Sequence, residues 1–126
     1  MSTNIVRDYL HEIGDYGLLT AKEEIELGTT IQAGIAARKE LETCTDADRI
    51  EVLNDLASAG DMAREELILH NLKLVISVVK NYSNQHLSFM DMVNEGNLGL
   101  MTAADKFDPT KGCRFSTCAV PWIRQS

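Results

Sequence analysis

Side chains that could bind a negatively charged ligand with aromatic rings are concentrated in the C-terminal stretch KGCRFSTCAVPWIRQS. This stretch has three basic residues and no acid, although the whole chain carries a formal net charge of -7. Arg114 and Arg124 can neutralise phosphates, and Gln125 can form paired hydrogen bonds with the edge of a base. Phe115 and Trp122 offer rings that either stack on bases or pack in a core, and composition does not decide between the two.

A second group of residues combines acids, an amide and apolar side chains at helical spacing. Asp91, Asn94 and Glu95 are followed by Leu98 and Met101, and steps of three and four residues place side chains on one side of a helix. Carboxylates can pair with arginines of a basic partner helix while Leu and Met fill its grooves. The alternative, which composition alone favours, is a solvated helix face with Met101 in the core.

A third group is a polar stripe on an otherwise apolar helix. Lys73, Ser77, Lys80 and Asn84 recur at steps of four, three and four residues, with Asn71 beside them. This stripe is either solvated or faces phosphates.

Patterns typical of catalysis or metal binding are missing from the sequence. There is no P-loop, no GxSxG and no HExxH. The cysteines and histidines lack paired metal-ligand spacing: Cys44, Cys113, Cys118, His11, His70 and His86. We therefore expect no enzymatic activity, no cofactor and no metal, with the thiols reduced.

Length and charge limit the class of protein. A chain of 126 residues with 44% hydrophobic residues suits one compact domain. It has no apolar run of the roughly 20 residues that a membrane span needs and no signal-peptide pattern, which predicts a cytoplasmic protein without a membrane partner. Residues 1–70 hold 6 Lys and Arg against 15 Asp and Glu, whereas residues 71–126 hold 6 against 4. The acidic total thus hides a mildly basic C-terminal half.

The elements that must position these residues are helices, since apolar residues recur at helical spacing and no window alternates long enough for a strand. The first four predicted segments are Ile5 to Ile13, Thr20 to about Glu42, Arg49 to Ala59 ended by Gly60, and a nearly all-apolar helix from Asp61 to about Tyr82. Ser88 and Asp91 predict a cap for a short helix to Gly96, followed by a helix from Asn97 to Phe107. After a turn at Asp108 to Gly112, Ser116 or Thr117 caps the last helix. The fold class is all-α.

Several of these segments resemble one protein family. NLKLVISVVKNY (71–82), LSFMDMVNEGNLGLM (87–101), ADKFD (104–108), FST (115–117) and WIRQ (122–125) resemble the second domain of housekeeping-type bacterial sigma factors. IVRDYLHEIG (5–14) with LLTAKEE (18–24) is similar to the helical element that precedes that domain. The resemblance implies a compact bundle of about five to six helices. It also implies a division into a preceding element (1–36), a helical spacer (37–60) and the domain-two core (61–126).

The resemblance implies a transcription initiation factor that binds core RNA polymerase and recognises and helps melt the AT-rich minus-ten promoter element. It assigns docking on an arginine-bearing coiled coil of the largest polymerase subunit to Asp91, Asn94, Glu95, Asn97, Leu98 and Met101, in place of the solvated-face alternative. It assigns contacts with promoter DNA, chiefly the nontemplate strand, to Asn71, Lys73, Arg114, Phe115, Thr117, Trp122, Arg124 and Gln125. It assigns a position near the bases just downstream to Tyr9, Leu10, His11, Leu18 and Glu24. An anti-sigma factor is a further expected partner.

The chain departs from the family pattern where aromatics are usual, with Cys113, Cys118 and Pro121. A thiol at position 118 lacks a stacking face, so a contact of about 1–3 kcal/mol is missing and we expect weak melting. Pro121 predicts that the last helix either starts late or is kinked.

We also expect a longer parent protein, because Ser126 falls inside the promoter-reading helix of the family. Two other classes stay open: a polymerase-binding module without melting activity, and a helical interaction protein unrelated to transcription.

Overall fold

The computed structural model describes residues 2–82 and 86–125, with side chains from residue 5 onward. Within these residues the chain forms six α-helices and one short 3-10 helix, with no strand. The helices are α1 (Ser2–Ile13), α2 (Ala21–Leu41), α3 (Ala47–Leu69), α4 (Leu72–Val79), α5 (Phe89–Lys106) and α6 (Phe115–Gln125), with the 3-10 helix at Pro109–Lys111. The all-α prediction is therefore confirmed.

Two helix starts that the sequence predicts are confirmed by their caps. The Thr20 hydroxyl accepts the Glu23 N–H at 3.1 Å, and the Glu23 carboxylate accepts the Thr20 N–H at 2.8 Å. Ser88 and Asp91 make the same reciprocal pair at 3.1 and 3.3 Å at the start of α5. Each pair satisfies two backbone donors that a helix start leaves without a partner.

Helices α2 and α3 form an antiparallel hairpin in which two glycines lie against each other. A Cβ atom on Gly34 would lie 2.9 Å from the Cα of Gly60, and one on Gly60 would lie 2.9 Å from the Cα of Gly34. The prediction that Gly60 ends a helix is wrong, because α3 runs through it without interruption. Gly60 instead lets two backbones touch, a role that depends on α2 and is invisible in local sequence.

Two other helix boundaries differ from the predictions. The single helix expected from Asp61 to Tyr82 is broken at His70 and Asn71, where α3 ends and α4 begins. Conversely, α5 is continuous where a break at Gly96 was expected. A Cβ on Gly96 would lie 2.7 Å from a methyl carbon of Val75, so this glycine also marks a close helix contact rather than a helix end.

Helix α6 begins at Phe115, earlier than the predicted caps at Ser116 or Thr117. The carbonyl of Arg114 accepts the backbone N–H groups of Thr117 and Cys118 at 3.1 and 3.4 Å, which makes Arg114 the N-cap residue. Pro121 lies inside the helix and removes one backbone donor, but the helix does not start late to avoid it.

The core lies where α3, α4, α5 and α6 meet. The largest fully buried side chains among the described residues all belong to this core except Leu53, and one of them, Ile31, reaches it from α2: Phe107, Phe115, Ile31, Leu53, Leu67, Leu100, Val75 and Val93. The rings of Phe107 and Phe115 pack edge to face with centroids 5.2 Å apart. Leu67, Val75, Val93 and Phe115 lie within segments that the sequence singles out, so the core also fixes the relative positions of the candidate site residues.

Candidate functional site

A carboxylate buried near the start of α2 holds the start of α6. Glu24 is 5% exposed, and its Oε1 accepts hydrogen bonds from the Phe115 backbone N–H at 3.0 Å and from Arg114 Nε at 2.9 Å. A second guanidinium nitrogen of Arg114 donates to Oε2 at 3.3 Å. This pairing raises the pKa of Arg114, first through the hydrogen bond and then through charge attraction. Glu24 thus caps a helix distant from it in sequence.

The connection between α1 and α2 is held by side chains that come much later in the chain. Three donors reach its backbone carbonyls: Lys73 Nζ to Gly14 at 3.4 Å, His70 Nδ1 to Gly17 at 2.8 Å, and a guanidinium nitrogen of Arg114 to Leu19 at 2.9 Å. Because a carbonyl oxygen only accepts, the Nδ1 atom of His70 carries the proton. The ring of Tyr16 packs edge-on against His70 at 5.5 Å. These contacts fix the backbone of the connection.

Leu18 projects from this fixed backbone with 95% of its surface exposed. Leu10 and His11 are also exposed on α1, so three of the residues assigned to the downstream bases face solvent. Tyr9 and Glu24 face inward and hold elements together instead. Leu18, the most exposed of the outward residues, offers a ligand an apolar surface.

Helix α6 separates its candidate residues into an outer and an inner set. Thr117, Arg124 and Gln125 are exposed. Trp122 is half-buried, with the Nζ of Lys106 lying 5.7 Å from the centre of its ring. Phe115 is fully buried and its ring packs on Phe107. Its assignment to the DNA path stays a prediction, which this packing does not favour.

The polar stripe of α4 lies on an exposed side of the helix, but its members are partly engaged. Asn71 is half-buried and its Nδ2 donates to the Leu67 carbonyl at 2.8 Å. Ser77 donates to the Leu74 carbonyl at 2.7 Å. Lys80 is exposed, and Asn84 lies outside the described residues. Lys73, although exposed, donates to the α1–α2 connection.

One side of α5 exposes acids and apolar side chains together. Asp91, Asn94 and Glu95 are exposed, and Leu98 and Met101 are exposed by 56% and 38%. We call these five residues the α5 face. The solvated-face alternative predicts that Met101 lies in the core, and its exposure contradicts that part of the alternative. The carboxylate of Asp91 also accepts from the Ser88 backbone, which fixes it at the first turn.

Asn97, the sixth residue expected on this face, points elsewhere. Its Nδ2 donates to the hydroxyl of Tyr9 at 3.3 Å, and its Oδ1 is buried with no hydrogen-bond partner. Asn97 thus links α5 to α1 in this structure, and its assignment to polymerase docking stays a prediction, which this link does not favour. An unpaired buried carbonyl oxygen has a free-energy cost, so this link is less favourable than a fully paired amide.

Two family models match the chain, one in each half. Residues 4–37 match Sigma-70 factor, region 1.2, and residues 67–126 match Sigma-70 region 2. The chain belongs to the sigma-70 family. The similar curated proteins include the RNA polymerase principal sigma factor HrdC of Streptomyces coelicolor, at 41% identity over 98% of this chain. The principal sigma factors HrdD of Streptomyces viridifaciens and Streptomyces griseus are 44% and 42% identical over the same share. The chain spans 38% of the length of each of these relatives.

In this sigma-70 chain, the structure joins the two matched regions through side chains. Glu24 and Tyr9 lie in region 1.2, whereas Arg114 and Asn97 lie in region 2. The ion pair and the Tyr9–Asn97 hydrogen bond therefore both cross between the regions. The division at residues 1–36, 37–60 and 61–126 stays a prediction, although α3 crosses residue 60 as one helix.

Two residues of this site in the sigma-70 chain are not among the candidates that the sequence offers. His70 belongs to no metal-binding pattern, yet it holds the Gly17 carbonyl. Lys106 was not singled out, yet it covers the Trp122 ring. The histidine directly precedes NLKLV, a position that could have indicated a role at the α3–α4 break. Among the residues described, no three potential ligands cluster as a metal site, and no helix is long and apolar enough to cross a membrane.

Proposed function

We propose that this chain docks on core RNA polymerase and recognises and helps melt the AT-rich minus-ten promoter element. The matched Sigma-70 region 2 and the principal sigma factors among its relatives support this function. In this proposal the chain acts in the cytoplasm as a binding protein, without enzymatic activity.

The α5 face is the observation that carries the docking proposal. Glu95 and Asp91 lie beside Leu98, whose side chain is 56% exposed. Burying apolar area drives association, and carboxylates select a partner that presents arginine forks. The proposed partner is the arginine-bearing coiled coil of the largest polymerase subunit. An anti-sigma factor would compete for the same surface.

The proposed DNA contacts come from two neighbouring elements. Arg114 donates to the α1–α2 connection and also begins α6, so the exposed Leu18 lies on a segment tied directly to the start of α6. Thr117, Arg124 and Gln125 are exposed along that helix.

Melting without nucleotide hydrolysis must offset base unstacking with protein contacts, each worth about 1–3 kcal/mol. AT-rich sequence keeps the unpairing cost low.

The docking test is a titration of this chain against the purified polymerase coiled coil, with variants of equal charge change. Glu95→Lys on the α5 face should lose saturable binding. Glu51→Lys, an exposed acid on α3, should bind as the wild type does. Equal binding by all three proteins would show that charge on the α5 face does not direct docking, and no binding by any of them would contradict the shared partner.

The DNA test compares a minus-ten nontemplate strand with a scrambled strand of the same composition. We expect preferential binding of the minus-ten strand by the wild-type chain, and a smaller preference in Gln125→Ala. Saturable polymerase binding without any strand preference would favour the second candidate, a docking module that no longer melts DNA. Cys118 and Pro121, which replace the usual aromatics, are the observations that favour this candidate.

A further inference from the structure

Two cysteines occupy paired positions around the start of α6. Because Arg114 is the N-cap residue, Cys113 stands one residue before the cap and Cys118 four residues after it. In the arrangement called the hydrophobic staple, side chains at these two positions contact each other across the first helical turn. Gly112, with a φ of 77°, turns the chain immediately before Cys113. The fold thus places both thiols on the same side of the first turn.

The environments of the two thiols differ in a way that suits stepwise oxidation. Cys113 is exposed, whereas Cys118 is half-buried and packs against the core. Burial raises the pKa of the Cys118 thiol, and Cys113 adds to the rise through charge and a hydrogen bond between the side chains. An oxidant in solution therefore reaches Cys113 first, and Cys118 stands at the paired position across the first helical turn.

We propose that Cys113 and Cys118 are a redox-sensitive pair that closes to an intramolecular disulfide across the first turn of α6. With hydrogen peroxide as the oxidant, the Cys113 sulfur attacks one peroxide oxygen and becomes a sulfenic acid, releasing water. The Cys118 sulfur then attacks the Cys113 sulfur, the S–O bond breaks and a second water leaves. Both sulfurs are oxidised, one peroxide is reduced, and the two thiol protons end in the waters. A dithiol reverses the step by exchange.

The bond would lock the turn that contains Arg114, which the Glu24 carboxylate holds on the other side. Oxidation should therefore slow the exchange of the Thr117 and Cys118 amide hydrogens, which donate to the Arg114 carbonyl. This inference goes beyond the proposed function, because neither oxidation nor amide exchange requires DNA or polymerase. Its failure and the failure of the proposed function are thus separately observable.

The test uses peroxide, thiol titration and trypsin on the chain as it stands. The reduced protein has three titratable thiols, and oxidation should leave one, with a loss of about 2 Da and no dimer. Trypsin cleaves after Arg114, between the two cysteines, so the peptides 112–114 and 115–124 should stay joined until a dithiol separates them. Amide exchange at Thr117 should slow in the oxidised chain.

Variants separate this pair from other thiol chemistry. Cys44→Ser should retain the internal bond, whereas Cys113→Ser, at an exposed position that cannot unfold the core, should abolish it. Far-ultraviolet circular dichroism of each variant confirms that the helices are intact. Dimers linked through Cys113, or oxygen atoms added to Cys113 while Cys118 remains titratable, would overturn the proposal. Separation of the two tryptic peptides without a reductant would also overturn the proposal.

Discussion

Glu24 and Arg114 form an ion pair at 2.9 Å that joins α2 to the start of α6. The carboxylate side chain is 6% exposed and the guanidinium side chain is 52% exposed. The attraction between the charges is therefore partly screened, and the larger effect of Glu24 comes from satisfying the buried N–H of Phe115. Arg114 also donates to the Leu19 carbonyl, so this pair holds together the two segments to which we assign the DNA contacts.

Replacing Glu24 by Ala should lower the free energy of unfolding by about 1–3 kcal/mol, because it leaves a buried backbone donor without a partner. Urea denaturation of the isolated chain measures this loss. Glu26→Ala, which removes an exposed acid from the same helix, should stay within about 0.5 kcal/mol of the wild type. Equal stability of both variants would show that Glu24 does not cap α6.

Adding a methyl group at Gly60 should separate the α2–α3 hairpin. Its Cβ would lie 2.9 Å from the Gly34 backbone, and overpacking of this kind costs about 1–3 kcal/mol. That cost should exceed the roughly 1 kcal/mol gained from the helix propensity of alanine. Thermal unfolding of Gly60→Ala should show a lower midpoint.

The matched control is Gly17→Ala, since a Cβ at Gly17 meets nothing within 4 Å. Its midpoint should remain near that of the wild type. A Gly60→Ala variant more stable than the wild type would mean that helix propensity outweighs the contact and that the two helices can move apart freely.

Tyr9→Phe should weaken the attachment of α1 to α5. The change removes the hydroxyl that accepts from Asn97 Nδ2, and a neutral hydrogen bond contributes about 0.5–1.5 kcal/mol. Amide hydrogen exchange should become faster in α1 while α2 stays protected. The control is Tyr16→Phe, which removes a hydroxyl from the ring that packs on His70. It should leave amide hydrogen exchange in α1 unchanged. Faster exchange in both variants would indicate a general loss of aromatic packing.

Acid should weaken the start of α2 through Glu23. Hydrogen bonds from the Thr20 backbone and hydroxyl lower the pKa of Glu23 below its ordinary value of 4.5. A carboxyl whose pKa is lower in the folded state adds stability that is fully present above its unfolded pKa. This stability is lost as pH falls through the folded value. Glu23→Gln should therefore show a shallower loss of stability with acid than the wild type.

Urea midpoints measured from pH 6 down to pH 3 would check this slope. Lys22→Gln changes one charge on the same turn without removing an acid, and it should follow the wild-type slope. If Glu23→Gln and the wild type lose stability in parallel, the capping box does not contribute to acid sensitivity.

Local signals predicted the starts of α2 and α5. Thr20 with Glu23, and Ser88 with Asp91, were recognisable because a capping box involves residues only three apart. The role of a glycine was ambiguous because it depends on residues that are distant in sequence. Gly60 and Gly96 resemble helix ends locally, and only the neighbouring helix reveals that each allows a close approach.

By itself the sequence determined that the chain is helical, where α2 and α5 begin, and which residues carry the resemblance to sigma factors. These properties depend on hydrogen bonds and apolar spacing within a few residues of one another. Tertiary structure alone decided which candidate residues face outward. Phe115 packs on Phe107, Asn97 turns to Tyr9, and Arg114 is held by Glu24. Each partner is distant in sequence, and burial depends on what a side chain meets when the helices pack.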